Sequence, residues 1–353
     1  ITAKVQLVGP ADISFQIPTE AHADVAGNGI LGRMHHWIGI AETQQRQGCA
    51  GIHQQFDGRG GVGPESNGGI NVHFITEDGF IYVERIGGSD TIIAPSKRVN
   101  IHTEKGIVKA VFGWPAIHTR RTKDDAPELK SIFLDCGAMS KKEVEGMGIR
   151  VGDPITFDDD FFVMNDKYFV GRAIDNRIGG FMIAQVARML KENKVKLPFA
   201  LYVVNSVQEE VGLRGAEMMA HTIKPNVAIV TDVTHDSNTP MISKNLEGDL
   251  KLGRGPALTK GPAVHNKLLK IVEDAAKANK INFQRDVASR ATGTDTDAFA
   301  YSNGGVPTCL VALPLRYMHT TVECVHKEDV EAVINLIYQT VIKLKPGFNY
   351  KYL

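Results

Sequence analysis

Acidic side chains and a histidine come directly after apolar, strand-like segments of the chain. Glu209 and Glu210 follow the run FALYVVNSV, and Asp232 ends the run NVAIVTDV. His319 comes a short loop after VPTCLVAL, and Asp175 lies between YFVGRAI and a helical pattern. The carboxyl ends of the strands in an open α/β sheet meet at the crevice where ligands bind. We therefore expect these five side chains to converge.

Four carboxylates that converge beside a histidine repel one another unless a cation lies among them. Carboxylate oxygens and imidazole nitrogens together suit zinc, cobalt or manganese. The four cysteines are widely spaced and form no C-x-x-C pair, which disfavours a structural zinc site. Taken singly, each acidic residue could be a helix cap, a turn former or a solvated loop residue, and His319 an ordinary histidine. Their joint occurrence at strand ends predicts a divalent metal site.

The stretch from 71 to 165 has the pattern of a small β-rich domain. Two pairs of β-rich runs flank Glu77-Asp78-Gly79 and Lys105-Gly106, which are hairpin turn signals. One segment, SKKEVEGMG, is predicted to be helical, because Ser140 can cap it and Glu143 follows three residues later.

From about residue 168 the pattern changes to strands that alternate with helices. The runs 199–207, 226–233 and 306–313 are short and apolar, as in strands buried on both faces. An amphipathic helix is predicted over 176–193, and further helices are predicted near 213–221, 264–279 and 328–343. This alternation predicts an α/β sandwich on a largely parallel sheet.

Several motifs follow one another in a distinctive order: GRAIDNRIGG, VQEEVGLRGA, VTDVTH, GTDTDA and LRYMHTTVE. The series resembles the tetrahedral and glutamyl aminopeptidases, a family of co-catalytic dinuclear metallo-aminopeptidases, over about residues 71 to 345. The resemblance implies an α/β/α sandwich catalytic domain built from residues 1–70 and 166–353. It also implies that a barrel-like β-rich domain, residues 71–165, is inserted for dimerisation, and that dimers assemble into a hollow dodecamer.

The resemblance further implies roles for single residues and two divalent metal ions per chain, zinc or cobalt. Asp175 resembles the carboxylate that bridges both ions. Glu210 and His319 resemble ligands of one ion, and Asp232 a ligand of the other. Glu209 resembles the general base, which takes a proton from the attacking water and passes it to the leaving amine.

Two further motifs extend this assignment. GTDTDA corresponds to a loop that lines the active site in the family, so Thr294 and Asp295 are candidate substrate-binding residues. The alternative is that this loop caps the helix around 297–302. The family also takes a ligand from an H-x-D motif just before the strand NVHFITEDGF, where this chain reads ESNGGI.

The one H-x-D of this chain, His22-Ala23-Asp24, lies about forty residues earlier. Residues i and i+2 of a strand lie on one face, so both groups could face the site. We expect His22 to bind the ion shared with Asp232, and Asp24 to orient His22. The alternative is an ordinary loop histidine.

Charge and composition indicate which binding partners and which cellular compartment to expect for this protein. Forty Lys+Arg balance forty Asp+Glu, which disfavours a general affinity for nucleic acid or an anionic membrane. No apolar run is long enough to span a bilayer, and ITAKVQLVGP lacks the pattern of a signal peptide. With the unpaired cysteines, this predicts a cytoplasmic protein. Short peptides are the expected substrates, and a homo-oligomer is expected.

Three other functions remain open from the sequence. A metallo-carboxypeptidase or deacylase could use the same carboxylates and histidine. An endoglucanase is a second possibility, because some relatives are described in that way; a glycosidase needs two carboxylates and no metal, so a chelator would distinguish it. A catalytically impaired scaffold is the third, because the expected H-x-D motif is out of place. The metal content per chain would separate it from the enzymes.

Overall fold

A computed structural model of the chain describes residues 5–6, 69–88, 90–120 and 127–351. Its strands are β1 (Val5–Gln6), β2 (Ile70–Ile75), β3 (Ile81–Arg85), β4 (Arg98–Thr103), β5 (Gly106–Gly113), β6 (Phe133–Asp135), β7 (Pro154–Phe157), β8 (Phe162–Met164), β9 (Tyr168–Gly171), β10 (Tyr202–Val203), β11 (Ala228–His235), β12 (Ala257–Lys260), β13 (Gln284–Val287), β14 (Thr308–Leu315) and β15 (Glu323–His326). Its α-helices are α1 (Lys141–Gly146), α2 (Ile174–Glu192), α3 (Arg214–Ile223), α4 (Lys244–Glu247), α5 (Asn266–Ala278), α6 (Asp295–Ala300) and α7 (Lys327–Lys343). Short 3-10 helices cover Thr91–Ile93 and Leu129–Ser131.

Six antiparallel strands close into a barrel in the order β2-β3-β6-β5-β4-β7. Both predicted hairpin turns are present, with Gly79 and Gly106 at the positive φ of 87° and 126° that glycine adopts without strain. Helix α1 begins as predicted, since the Ser140 hydroxyl accepts the N–H of Glu143 at 3.3 Å. Alternate residues of the strands fill the barrel with its own apolar core, separate from that of the rest of the chain.

The barrel ends earlier than the β-rich stretch of the sequence. Its last strand stops at Phe157, whereas Phe162–Met164 pairs with β9, and β9 pairs with β15, in a three-stranded antiparallel sheet. β composition alone does not reveal which sheet a strand joins, because pairing depends on partners that are distant in sequence. The division at 71–165 stays a prediction.

The main sheet has the order β11-β14-β12-β13. β11 runs parallel to β14, β12 runs antiparallel to β14, and β13 runs parallel to β12. β14 is buried along its whole length, as its apolar sequence predicts. The predicted strand at 199–207 is reduced to Tyr202–Val203, which pairs with β1 outside this sheet. After it the chain leaves the extended conformation, with Gln208 at a φ of 60°.

Helices pack against this sheet and hold the apolar core together. α7 packs against α2, α5 and β14, while α2 also contacts β11 and α5 contacts β12. α6 contacts β11 and β14, and α3 packs against α6. Among the described residues, no helix combines the length and apolar character needed to cross a membrane. The fold thus places α2 directly beside β11 and connects α3 to β11 and β14 through α6.

Candidate metal centre

Asp175 stands at the first turn of α2 but outside its helical geometry. Its φ and ψ, like those of Asn176, are not helical. The Asn176 side chain caps the turn, accepting the N–H of Gly179 at 2.9 Å and donating to the carbonyl of Thr231 at 3.1 Å. Because Thr231 belongs to β11, this pair of bonds fixes Asp175 beside that strand. Asp175 is buried, with 7% of the surface of the residue exposed.

A tight turn before α3 presents Glu209 and Glu210. The N–H groups of Gly212 and Leu213 both donate to the Glu209 carbonyl at 3.0 Å. Gly215 closes the turn by donating its N–H to the carbonyl of Val207 at 2.8 Å. This folding back is what carries both glutamates to the side of the sheet where Asp175 lies.

His319 completes a group of three possible metal ligands. It lies in the loop between β14 and β15, with a φ of 61°. Its Nε2 is 3.4 Å from Asp175 Oδ2 and 3.4 Å from Glu210 Oε2. One ligand atom from each of the three residues lies within 4.8 Å of the others. The sequence prediction that these three side chains converge is therefore correct.

Asp232 and Glu209 lie beside this group. Burial, followed by the charges of Asp175 and Glu209, raises the pKa of Asp232 well above its usual value. Burial also raises the pKa of Glu209 to about 8, with added repulsion from Glu210, Asp295 and Asp175. The hydrogen bond to Asp175, with the charge of Glu210, raises the pKa of His319 to about 9. The site thus concentrates negative charge.

The donor set fits a divalent cation. Asp175, Glu210 and His319 offer two carboxylate oxygens and an imidazole nitrogen, a combination that suits zinc and related ions. Burial, together with the neighbouring carboxylates, raises the pKa of Glu209, and a bound cation stabilises carboxylates in such surroundings. Asp232 adds a further buried carboxylate within the range of these charges.

Thr294 and Asp295 occupy different surroundings at the start of α6. Thr294 is the helix cap, and its hydroxyl accepts the N–H of Thr296 at 3.2 Å, as the alternative interpretation of this loop expected. Asp295 Oδ2 accepts a short hydrogen bond from the Ser206 hydroxyl. Its charge contributes to the raised pKa of Glu209, so Asp295 lies within electrostatic range of the general-base candidate.

His22 and Asp24 lie outside the described residues, as does most of the ESNGGI segment. The expected contact between His22 and the ion shared with Asp232 therefore stays a prediction.

Two residues that the sequence analysis did not single out touch this group. Glu323 is fully buried and accepts backbone N–H groups from both Asp175 and His319. Gly88 belongs to the barrel, and a Cβ added there would lie 2.9 Å from Nδ1 of His319. The signal for Glu323 is a charged residue inside the apolar run TVECV, since a glutamate is rarely buried without a purpose. No local signal marks Gly88.

Known proteins resemble this chain over most of its length. The M42 glutamyl aminopeptidase family matches residues 68–336. A lysyl aminopeptidase from Pyrococcus furiosus is 35% identical over 285 residues, which cover 79% of each chain. An aminopeptidase structure from the archaeon Desulfurococcus kamchatkensis superposes with a TM-score of 0.73 at 33% identity, covering 79% of this chain and 77% of the other.

Two other similar structures have descriptions that mention an assembly or a different enzymatic activity. The Pyrococcus horikoshii TET1 peptidase, described as able to assemble into a tetrahedron or a large octahedral shell, gives a TM-score of 0.71 at 26% identity and covers 89% of this chain and 94% of its own. A structure described as an endoglucanase from Thermotoga maritima gives a TM-score of 0.60 at 26% identity, covering 78% of each chain. With its family match over residues 68–336, its 35% identity to a lysyl aminopeptidase and its carboxylate–histidine cluster, this chain belongs to the M42 family of glutamyl aminopeptidases.

Proposed function

We propose that this aminopeptidase removes N-terminal residues from short peptides at a site for two divalent metal ions, zinc or cobalt. The observation that carries the proposal is the convergence of Asp175, Glu210 and His319, with Glu209 and Asp232 beside them. Family membership supports the hydrolysis of peptide bonds. In this proposal Asp175 bridges the ions, Glu210 and His319 hold one of them, and Asp232 and His22 hold the other.

Bound divalent ions would polarise the scissile carbonyl and lower the pKa of the attacking water. The remaining steps belong to the protein. Glu209 takes the proton from that water and delivers it to the nitrogen of the leaving amine, which departs neutral as the peptide bond breaks. Glu209 is the neighbour of Glu210 but lies outside the group of three possible ligands, which leaves its carboxylate available for this role.

We further propose the larger architecture that the sequence suggests. Residues 1–70 and 166–353 form an α/β/α sandwich, the barrel domain mediates dimerisation, and dimers assemble into a cytoplasmic dodecamer. Ile107 and Val111 are exposed apolar side chains on the same face of the barrel strand β5, and they support a contact surface there. The tetrahedral assembly described for the TET1 peptidase supports the dodecamer.

Hydrolysis of a panel of aminoacyl-p-nitroanilides tests this function. The purified protein is stripped of metal with a chelator and reconstituted with zinc or cobalt before each assay. We expect no hydrolysis without metal, restored hydrolysis with it, and no hydrolysis of the same substrates when their amino group is acetylated. Release of p-nitroaniline from the acetylated substrates would instead identify an endopeptidase, and release of acetate would identify a deacylase. Metal binding without any hydrolysis would identify a scaffold.

An endoglucanase is the second candidate, supported by the structure from Thermotoga maritima that carries this description. A glycosidase uses one carboxyl group as acid and one as base or nucleophile, without metal. Release of reducing sugar from carboxymethylcellulose, unaffected by a chelator, would establish it. We expect no sugar release, because the buried carboxylates surround a histidine in a metal-ligand arrangement.

A further inference from the structure

Glu323 joins two chain segments that supply candidate metal ligands. It is the first residue of β15, and its side chain is completely buried. Its Oε2 accepts the backbone N–H of Asp175 at 3.0 Å, and its Oε1 accepts the backbone N–H of His319 at 2.8 Å. Each carboxylate oxygen therefore holds one of the two segments.

These two segments need such a partner because neither has regular geometry. Asp175 lies in the non-helical first turn of α2, and His319 has a left-handed φ of 61°. Their N–H groups are not bonded within a regular helix or strand, and a buried N–H without an acceptor is costly. A carboxylate that accepts two N–H groups forms strong, short bonds and fixes the distance between the donors.

Burying a carboxylate is unfavourable unless its hydrogen bonds compensate, so a glutamate at this position needs a reason beyond packing. The other residues of β15, Cys324, Val325 and His326, include two fully buried side chains that pack without charge. An apolar residue at 323 would preserve that packing but would leave both N–H groups without the carboxylate.

We infer that Glu323 is a positioning residue for the metal centre: its carboxylate sets the separation of Asp175 and His319, and with it the affinity and geometry of the bound ion. The inference rests on the proposed function, because it needs a metal at this site. Residues that orient ligands typically change metal affinity by about 10–100-fold when they are substituted.

The chain offers a matched control in Asp329. This carboxylate is also buried, with 1% of its surface exposed, and it accepts the N–H groups of Gly253 and Gly255 at 2.6 and 2.7 Å. It performs the same kind of bridging between backbone groups, but neither of its partners is a candidate ligand. Asp329→Asn therefore measures the effect of losing such a bridge on the fold alone.

Titration of metal-free protein with Co²⁺, followed by visible absorption, tests the inference. Glu323→Gln can accept only one N–H, because its amide nitrogen then faces the other. We expect it to weaken cobalt affinity about 10–100-fold and to alter the absorption spectrum of the bound ion. Asp329→Asn should lower the melting temperature while leaving cobalt affinity and spectrum at wild-type values.

Glu323→Asp distinguishes the effect of side-chain length from that of the negative charge. It also replaces Glu323→Gln in the experiment if that variant does not fold. It keeps the negative charge but is one methylene shorter, so we expect weakened affinity here as well. Wild-type affinity and spectrum in Glu323→Asp, or in a folded Glu323→Gln, would overturn the positioning role. If wild-type protein itself bound no cobalt, the proposed function would fail instead, which keeps the two failures distinct.

Discussion

Glu209 and Glu210 are neighbours in sequence, yet the structure gives them different surroundings. Glu210 Oε2 lies 3.4 Å from Nε2 of His319, within the group of possible ligands. Glu209 is outside that group, and burial together with nearby carboxylates raises its pKa to about 8. A ligand needs to be ionised and close to the cation, whereas a base needs to take up a proton. The surroundings therefore favour Glu210 as the ligand and Glu209 as the base.

The substitution Glu209→Gln should leave metal binding nearly intact and lower kcat by about 10²–10⁴-fold, because an amide cannot take the proton. Glu210→Gln is the matched control, and it should lose metal. Metal analysis and steady-state kinetics of both variants check this. If Glu209→Gln lost metal but recovered substantial turnover when metal was added back, the two roles would be exchanged.

Protonation makes the stability of the metal-free protein depend on pH. The pKa of Glu209 rises from 4.5 to about 8 in the folded state, and that of His319 from 6.5 to about 9. Both groups hold a proton more tightly when folded. Their stabilising contributions are therefore complete below the unfolded pKa values and are lost as the pH rises through the folded ones. We expect the melting temperature of metal-free protein to fall by several degrees between about pH 5 and 9.

Metal-loaded protein is the control for this dependence, since a bound cation neutralises the charges, and its melting curve should change less over the same range. Glu209→Gln should flatten the curve of the metal-free protein. A melting temperature that stayed constant or rose with pH in metal-free wild type would contradict the assignment of a concentrated negative site.

At the scale of elements, the turn between β10 and α3 decides where both glutamates lie. Gly215 permits the turn because its backbone packs directly against Val207. A Cβ added at Gly215 would lie 2.2 Å from the carbonyl oxygen of Val207 and 2.5 Å from its nitrogen. Backbone atoms cannot move aside as the end of a flexible side chain can, so a larger residue at 215 must displace the turn.

We expect Gly215→Ala to destabilise the protein by about 1–3 kcal/mol and to lower activity, since the displaced turn carries Glu209 and Glu210. Gly146→Ala in α1 is the control. No atom lies within 4 Å of a Cβ built there, so its stability should change by less than about 1 kcal/mol. Thermal unfolding and aminopeptidase assays check both variants. Equal behaviour of the two would show that the turn is not held by Gly215.

Elements with a local chemical signal could be predicted from the sequence. The Ser140 cap, the hairpin turns at Gly79 and Gly106 and the buried strand β14 all follow from their own residues. The convergence of Asp175, Glu210 and His319 follows from their shared position at the edges of strands and helices.

Features that depend on distant partners could not be predicted. The short strand β10 and the pairing of Phe162–Met164 with β9 are set by partners elsewhere in the chain. The contact of Gly88 with His319 joins the barrel to the metal centre across more than half of the sequence. Periodicity reports which face of an element is buried, but not which other element covers it.

At the scale of the whole molecule, the barrel and the part built on the main sheet each have their own apolar core, and they meet near His319. The barrel core and the core around the main sheet are separate. Lys97 of the barrel donates to the hydroxyl of Thr321 at 2.8 Å, in the loop that carries His319. Together with Gly88, this contact makes the barrel a neighbour of the candidate metal centre.

We expect the protein to elute as a large oligomer, with the exposed face of β5 that carries Ile107 and Val111 as a contact surface. Ile107→Lys places a charge on that surface and should shift the elution toward smaller species. Met241→Lys substitutes another exposed apolar residue, outside the barrel, and should leave the assembly unchanged. Light scattering after gel filtration checks this. A wild-type mass near the 38.6 kDa of one chain would contradict it.

The most direct test of the account counts the metal ions that activity requires. Metal-free protein is titrated with Zn²⁺ or Co²⁺, and bound metal and aminoacyl-p-nitroanilide hydrolysis are measured at each point. Hydrolysis should rise from none to a plateau at two bound ions per chain. Asp175→Ala should bind neither ion tightly, and His319→Ala should weaken chiefly one. Full hydrolysis by wild-type protein that holds no metal, or two tightly bound ions in Asp175→Ala, would contradict a metal centre built on Asp175, Glu210 and His319.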